Sequence, residues 1–208
     1  MIWRIALCAV CGYLLGGFNG AIVISHLVLK DDVRSKGSGN AGLTNFLRNY
    51  GGWTTFLVAA IDVAKTVAAC LVGMWLLPAD PTLGKMVAGA ASQLGHIFPV
   101  FYHFHGGKGI VCAGALALMM DWRIFVILFS VFLIVFFITH YVSLGSVLAA
   151  LGYAIAFPLF FGGKNLPVAL LGVAVAAMAL FMHRSNIVRL FQGRETKTYL
   201  KKSHREGA

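Results

Sequence analysis

Lys108 stands among glycines, in Gly106-Gly107-Lys108-Gly109, closing a stretch that opens with Gly95-His96 and also carries His103 and His105. Glycine lets a backbone approach a ligand closely. The apolar run from Ile110 predicts a helix, so the turn feeds a helix N-terminus, where unpaired N–H groups and the helix dipole favour an anion. With the lysine ammonium added, the chemistry that fits is phosphate binding. A Walker-type loop needs Ser or Thr after the lysine to hold magnesium, and Gly109 stands there instead. The histidines could ligate a metal, but no carboxylate or cysteine accompanies them in this segment, and no metal or other cofactor is expected. A glycine turn with only a structural role is the competing reading.

Two further polar segments have a similar character. Residues 34–48 contain Gly37-Ser38-Gly39-Asn40, Thr44, Asn45 and Arg48. The Gly-Ser-Gly-Asn unit can fold into a backbone nest for an anion, and Arg48 can fork two hydrogen bonds onto a phosphate. A solvated linker with capping Ser and Asn residues is the alternative. Past the last apolar run, His183 and Asn186 share a helix face at i, i+3. Arg184, Arg189 and Arg194 around them could simply hold anionic lipid headgroups, and Gln192-Gly193-Arg194-Glu195 reads as a helix end with a polar lock. Inside an apolar run, Asp62 and Lys65 can pair at i, i+3. Charges in a span face a bundle interior or a water-filled cavity, as structural glue or as part of the chemistry.

The elements that must position these groups are membrane helices. Of the 208 residues, 59% are hydrophobic and 12% charged, and the mean hydropathy is +0.83. A soluble domain is about 45–50% apolar and about 25% charged, so that class is excluded. The expected fold class is all-α, a polytopic integral membrane bundle of about seven transmembrane helices, at residues 3–29, 53–77, 83–98, 109–120, 124–142, 144–161 and 166–182. The first run lacks a clear cleavage site and reads as a span, not a signal peptide. The span at 109–120 would be only about 18 Å long against a hydrocarbon core of about 30 Å. Lys30, Arg34, Lys36, Arg48 and Lys108 would share one side with seven more Lys and Arg in the tail, against Arg4, Lys85, Arg123 and Lys164 on the other. The positive-inside rule therefore puts the N-terminus outside, the C-terminus in the cytoplasm and the three polar segments on the cytoplasmic face. Residues 1–197 read as one domain and 198–208 as a basic, disordered tail. Cys8, Cys11, Cys70 and Cys112 lie in or beside apolar runs, where thiols behave as small buried hydrophobes.

The three segments together resemble the bacterial membrane acyl-phosphate:glycerol-3-phosphate acyltransferase family. The match rests on Gly37-Ser38-Gly39-Asn40 with Gly42, Thr44 and Asn45, on Gly95-His96 through Gly109, and on His183-Arg184-x-Asn186-Ile187 with Gly193-x-Glu195, in that order. Leu43 and Ile110-Val111-Cys112 depart slightly from the family's pattern. The resemblance implies transfer of a fatty acyl chain from acyl phosphate to the sn-1 hydroxyl of glycerol 3-phosphate, giving lysophosphatidic acid for phospholipid synthesis at a bacterial inner membrane. It implies no thioester donor. None of His96, His103, His105, His140 and His183 has an aspartate at the His-x4-Asp spacing of thioester-using relatives.

On that reading Ser38, Lys108, His183 and Asn186 are the catalytic candidates. Gly37, Gly39, Asn40, Asn45, Arg48, His96, Gly106, Gly107 and Gly109 are the substrate-binding candidates. Membrane lipids and the soluble enzyme that makes acyl phosphate are the expected partners, and nucleic acid is not. Ser38 has no base in its own flanks, so direct transfer without an acyl-enzyme is expected. A transporter of a phosphorylated or other anionic solute is the alternative, which Asp62, Lys65 and glycine-broken helices would favour.

Overall fold

The computed structural model describes residues 1–199, and their regular structure is entirely helical. In chain order the helices are α1 (Ile2–Gly16), α2 (Gly20–Leu27), α3 (Leu43–Asn49), α4 (Thr54–Leu76), α5 (Pro81–Ile97), α6 (Ile110–Met120), α7 (Trp122–Thr139), α8 (Val142–Phe161), α9 (Leu166–Met182) and α10 (Arg184–Phe191). Helices cover most of each apolar stretch expected to span. Four segments are long and apolar enough to cross a membrane alone: Ile2–Leu27, α4, α7 and α8. The pair α9 and α10, bent by 56°, makes a fifth if counted together. α6, at 11 residues, is only about 16 Å long.

The first apolar run is not one continuous helix. It breaks at residues 17–19, where Asn19 takes an extended backbone and its side chain caps α2 by accepting from Ile22 N–H at 3.1 Å. The break frees the Phe18 carbonyl, which accepts from Lys65 Nζ at 3.1 Å. The polar segment 30–50 also holds the short helix α3.

α5 is the packing centre, in contact with α1, α4, α6 and α9. Its contact with α1 is backbone to backbone. A Cβ at Gly12 or Gly16 would collide with the carbonyls of Ala88 and Ser92, so only glycine allows this approach. A second group forms around α8, which pairs with α7 and α9. Cys70, Met86, Leu116, Ile124, Phe157 and Val168 are all fully buried and join the two groups in one core.

The tryptophans sit at helix ends. Trp3, Trp53, Trp75 and Trp122 are all more than 60% exposed and sit at or within two residues of helix ends, as interfacial aromatics do. Trp53 and Trp75 bracket α4, whose 23 residues run about 34 Å, close to a hydrocarbon thickness of about 30 Å. At the Trp75 end, Asn165 donates to Asp80 at 3.0 Å and Lys85 donates to the Met119 carbonyl at 3.1 Å. The opposite end gathers the polar segments.

Candidate active site

At that opposite end a cavity of about 130 Å³ draws its lining from all three polar segments. Ser38, Asn40, Asn45 and Arg48 come from the first, His96, Lys108 and Gly109 from the second, His183 and Asn186 from the third. Gly109 is the N-cap of α6 with φ +76°, a conformation that explains glycine at this position. The first two segments are braced by backbone bonds. Gly107 N–H donates to the His96 carbonyl at 3.0 Å, Gly106 N–H to Ile97 at 3.1 Å, and Ala41 N–H to Gly106 at 3.2 Å. Asn40 Nδ2 adds a bond to the Gly106 carbonyl at 3.3 Å. Gly37, Gly39, Gly106 and Gly107, expected to bind substrate, shape the loops behind the wall and do not line the cavity.

Asn45 also does something different from what its type suggested. Its Oδ1 accepts from Ser38 N–H at 3.0 Å, and its Nδ2 donates to the carbonyls of Val33 and Lys36 at 3.2 and 3.0 Å. The whole amide is occupied in holding the loop that presents Ser38. Arg48 points toward the chain past α10, donating from Nε to Thr198 Oγ1 at 3.0 Å and from Nη2 to the Thr196 carbonyl at 2.8 Å. Thr198 is thus anchored, and its N–H also donates to the His140 carbonyl at 2.8 Å. Of the expected tail, residues 200–208 lie outside the described residues.

Across the cavity, Lys108 Nζ donates to Asn186 Oδ1. Asn186 Nδ2 donates to Glu195 Oε1 at 3.0 Å, and Arg189 Nε donates to Glu195 Oε2 at 2.8 Å. Glu195 and Arg189 complete this chain and were not among the expected site residues. Burial opposes the charged form of Glu195, but the bonds from Arg189 and Asn186 outweigh it and hold its pKa below the ordinary value. Burial, reinforced by the nearby Arg189 cation, pushes Lys108 down to about 8. His183 and Asn186 are buried on one face, as their spacing predicts. His183 Nδ1 lies 2.7 Å from the Ala179 carbonyl, so Nδ1 carries the proton and Nε2 keeps a lone pair. Burial lowers its pKa to about 4, so the ring is neutral at neutral pH.

Asp62 and Lys65 do pair, at 2.8 Å and almost fully buried, and Lys65 Nζ also lies 2.9 Å from His96 Nδ1. Asp62 Oδ2 and Ser143 Oγ are buried without a hydrogen-bond partner among the described residues, and both residues line the cavity. One His-x4-Asp spacing does occur, at His26 and Asp31, beyond the five histidines considered for it. It builds no site: His26 lies 3.5 Å from Asp32, Asp31 pairs with Lys36, and none of these residues lines the cavity.

A second cavity, of about 350 Å³ and almost wholly apolar, adjoins the first. The two share Leu43, Ile110, Val111, Phe132 and Ser146. Small residues of α6, α8 and α9 line it, among them Ala113, Gly114, Ala150 and Ala176, with Phe125 and Phe129 of α7 opposite. A polar, cation-lined pocket opening onto an apolar groove can hold a phosphorylated head and an aliphatic tail at once.

The family model described as glycerol-3-phosphate acyltransferase matches residues 6–193. A glycerol-3-phosphate acyltransferase of Finegoldia magna is 41% identical over 199 residues, covering 94% of this chain and 96% of its own length. That of Thermoanaerobacter pseudethanolicus is 37% identical over 191 residues, covering 92% and 94%. Among solved structures, PlsY (YgiH), an integral membrane glycerol 3-phosphate acyltransferase in its glycerol 3-phosphate form, superposes with a TM-score of 0.84 at 32% identity, covering 94% of this chain and 96% of that one. The lysophosphatidic acid form of the same protein gives 0.81 at 31% identity.

Proposed function

The chain belongs to the glycerol-3-phosphate acyltransferase family and is an acyltransferase, and we propose that it moves a fatty acyl group from acyl phosphate to the sn-1 hydroxyl of glycerol 3-phosphate. The products are lysophosphatidic acid and phosphate. The observation that carries this reading is the junction of the polar, cation-lined cavity with the apolar groove. The acyl chain lies in the groove between α6, α7 and α8, and its mixed anhydride emerges beside Lys108. The glycerol 3-phosphate and lysophosphatidic acid forms of the similar PlsY support the assignment of acceptor and product.

The reaction needs little covalent chemistry from the protein. The acceptor hydroxyl oxygen attacks the carbonyl carbon, the bond from that carbon to the phosphate oxygen breaks, and the electron pair leaves with phosphate. Lys108, near the N-terminus of α6, stabilises the charge that grows there. Arg48, Arg189 and Asn186 hold and orient glycerol 3-phosphate, while Ser38 and Asn40 supply neutral hydrogen bonds. His183 Nε2 accepts a hydrogen bond from the acceptor hydroxyl. With its pKa near 4, His183 is a weak base at neutral pH. A phosphate oxygen of the substrates, with a second pKa of about 6, is the better final proton acceptor.

In the bacterial inner membrane the broken α1–α2 unit and α4 to α9 make seven crossings, with α6 shielded by its neighbours and the cavity facing the cytoplasm. In a Cys-free background, a cysteine at Ser35 should label from the cytoplasm and one at Asn165 from outside. Function is tested with purified protein and glycerol 3-phosphate, assayed for lysophosphatidic acid. Acyl phosphate should support turnover and acyl-CoA should not. Equal rates with acyl-CoA as sole donor would overturn the donor assignment.

A further inference from the structure

His96 is buried beneath the glycine loop, and its two ring nitrogens face different surroundings. Nδ1 meets Lys65 Nζ at 2.9 Å, Asp62 Oδ1 at 3.4 Å and Asn19 Nδ2 at 3.5 Å. The orientation of the Asn19 amide is set independently, because its Oδ1 accepts from Ile22 N–H at 3.1 Å and its Nδ2 donates to the Ala41 carbonyl at 3.0 Å. The closest group, the Lys65 ammonium, can only donate and already holds Asp62 Oδ1 at 2.8 Å, so Nδ1 meets it through a lone pair while the carboxylate stands farther off. Lys65 is held for this task. Its remaining bonds go to Asp62 Oδ1 at 2.8 Å and the Phe18 carbonyl at 3.1 Å, and Asp62 Oδ1 is itself fixed by Gly20 N–H at 3.1 Å.

The other nitrogen lies against the phosphate loop. A Cβ at Gly107 would fall on His96 Nε2, and His96 lines the polar cavity. Nε2 makes no hydrogen bond to a nitrogen or oxygen among the described residues, and the Cys112 thiol is close enough to share a hydrogen bond with the ring. We infer that Asp62 and Lys65 are positioning residues for acyl transfer. They fix His96 as the neutral Nε2–H tautomer, so that Nε2–H is an uncharged donor to a substrate phosphate oxygen in the polar cavity. This rests on the substrate-binding role of His96. It adds why costly charges are buried at this place: a hydrogen bond from a charged lysine, itself held by a carboxylate, sets the tautomer of a ring that must present one particular N–H. It also links the break between α1 and α2 to the site, since the Phe18 carbonyl and the Asn19 amide both come from that break.

The test has three readouts on the detergent-purified full chain. In ¹⁵N-histidine-labelled protein, with His96→Gln used for assignment, His96 should show a protonated Nε2 and an unprotonated Nδ1. A protonated Nδ1, alone or with Nε2, overturns the inference without any functional variant. His96→Ala should lower kcat/KM by about 10²-fold, as loss of one preorganised donor does. An unchanged His96→Ala enzyme removes the substrate-binding role of His96 and the inference with it. The double variant Asp62→Leu/Lys65→Met removes both charges together and leaves neither buried alone. It should melt within a few degrees of wild type, yet bind inorganic phosphate, read as product inhibition, about 10-fold more weakly. Full retention of phosphate inhibition and kcat/KM in that variant, with His96→Ala damaged, would show the pair to be structural glue and refute the positioning role alone.

Discussion

The two adjoining cavities are built by opposite means. The polar one is about 130 Å³, and its walls are loops and helix ends cross-braced by hydrogen bonds, with the chain Lys108–Asn186–Glu195–Arg189 along one side. The apolar one, about 350 Å³, has no such network. Its shape comes from which positions of α6, α8 and α9 carry Ala or Gly and which positions of α7 carry Phe. Polar recognition depends on a few directed bonds, each of which matters. The groove depends on volume, so its residues should tune which chain fits without touching the chemistry.

The strongest break in that contrast is at Lys108. Lys108→Ala should lower kcat/KM by about 10²–10³-fold, the effect of losing a group aimed at developing charge, with the melting temperature little changed. Lys108→Arg should recover only part, because a planar fork replaces a compact ammonium. A near-normal Lys108→Ala enzyme would remove the phosphate-cradle reading.

Next in size is a pH effect on the same residue. Burial puts the Lys108 pKa at about 8, so the free enzyme loses this cation as pH rises through that value. kcat/KM should fall on the basic side from about pH 8, and the limb should move out of range in Lys108→Arg, since guanidinium does not deprotonate there. An unchanged limb in Lys108→Arg would assign it elsewhere.

Glu195→Gln comes third. It leaves Arg189 without its carboxylate and should raise the KM for glycerol 3-phosphate about 10-fold, the cost of one hydrogen bond to a charged group. Glu195 also predicts an acid effect on stability. Its folded pKa lies below the ordinary value of 4.5, so its contribution is complete above that value and is lost as pH falls toward the folded pKa. Thermal melts of wild type and Glu195→Gln should therefore converge on acidification.

The smallest effect belongs to the groove. Gly114 has only a Phe125 ring atom near the position a Cβ would take, so Gly114→Leu can be accommodated and its side chain would fill groove volume. Turnover of long-chain acyl phosphates should drop several-fold while short-chain donors react at wild-type rates. Equal losses for both would place the chain elsewhere.

How much of this was legible in the sequence depended on how local the physics is. The loop around Lys108 was legible because its glycines, its cation and the helix it feeds are neighbours in the chain. His183 and Asn186 were legible because helical spacing puts them on one face. Glu195 was quoted as a lock but not as a site member, since only the turn at Gly193, with φ +66°, folds it back onto Asn186. Asn45 was expected to face substrate because residue type does not reveal which bonds an amide will make. The break at Asn19 was hidden within an apolar run, and its reason lies with Lys65, far along the chain. The spacing of His26 and Asp31 shows the converse, a pattern without the geometry that would give it meaning.

The central claim is that the polar cavity works by positioning two phosphates, without a covalent nucleophile. Ser38 is the expected hydroxyl in it, where Thr44, Ser143 and Ser146 also stand, and the free cysteines Cys8, Cys70 and Cys112 are buried in the bundle, with Cys11 partly so. The most direct measurement is the intact mass of the protein after mixing with acyl phosphate and no acceptor, on the timescale of turnover. The predicted result is an unmodified chain that makes lysophosphatidic acid at the full rate once glycerol 3-phosphate is added. A stoichiometric acyl adduct on Ser38 or a cysteine, formed and discharged at the turnover rate, would contradict it.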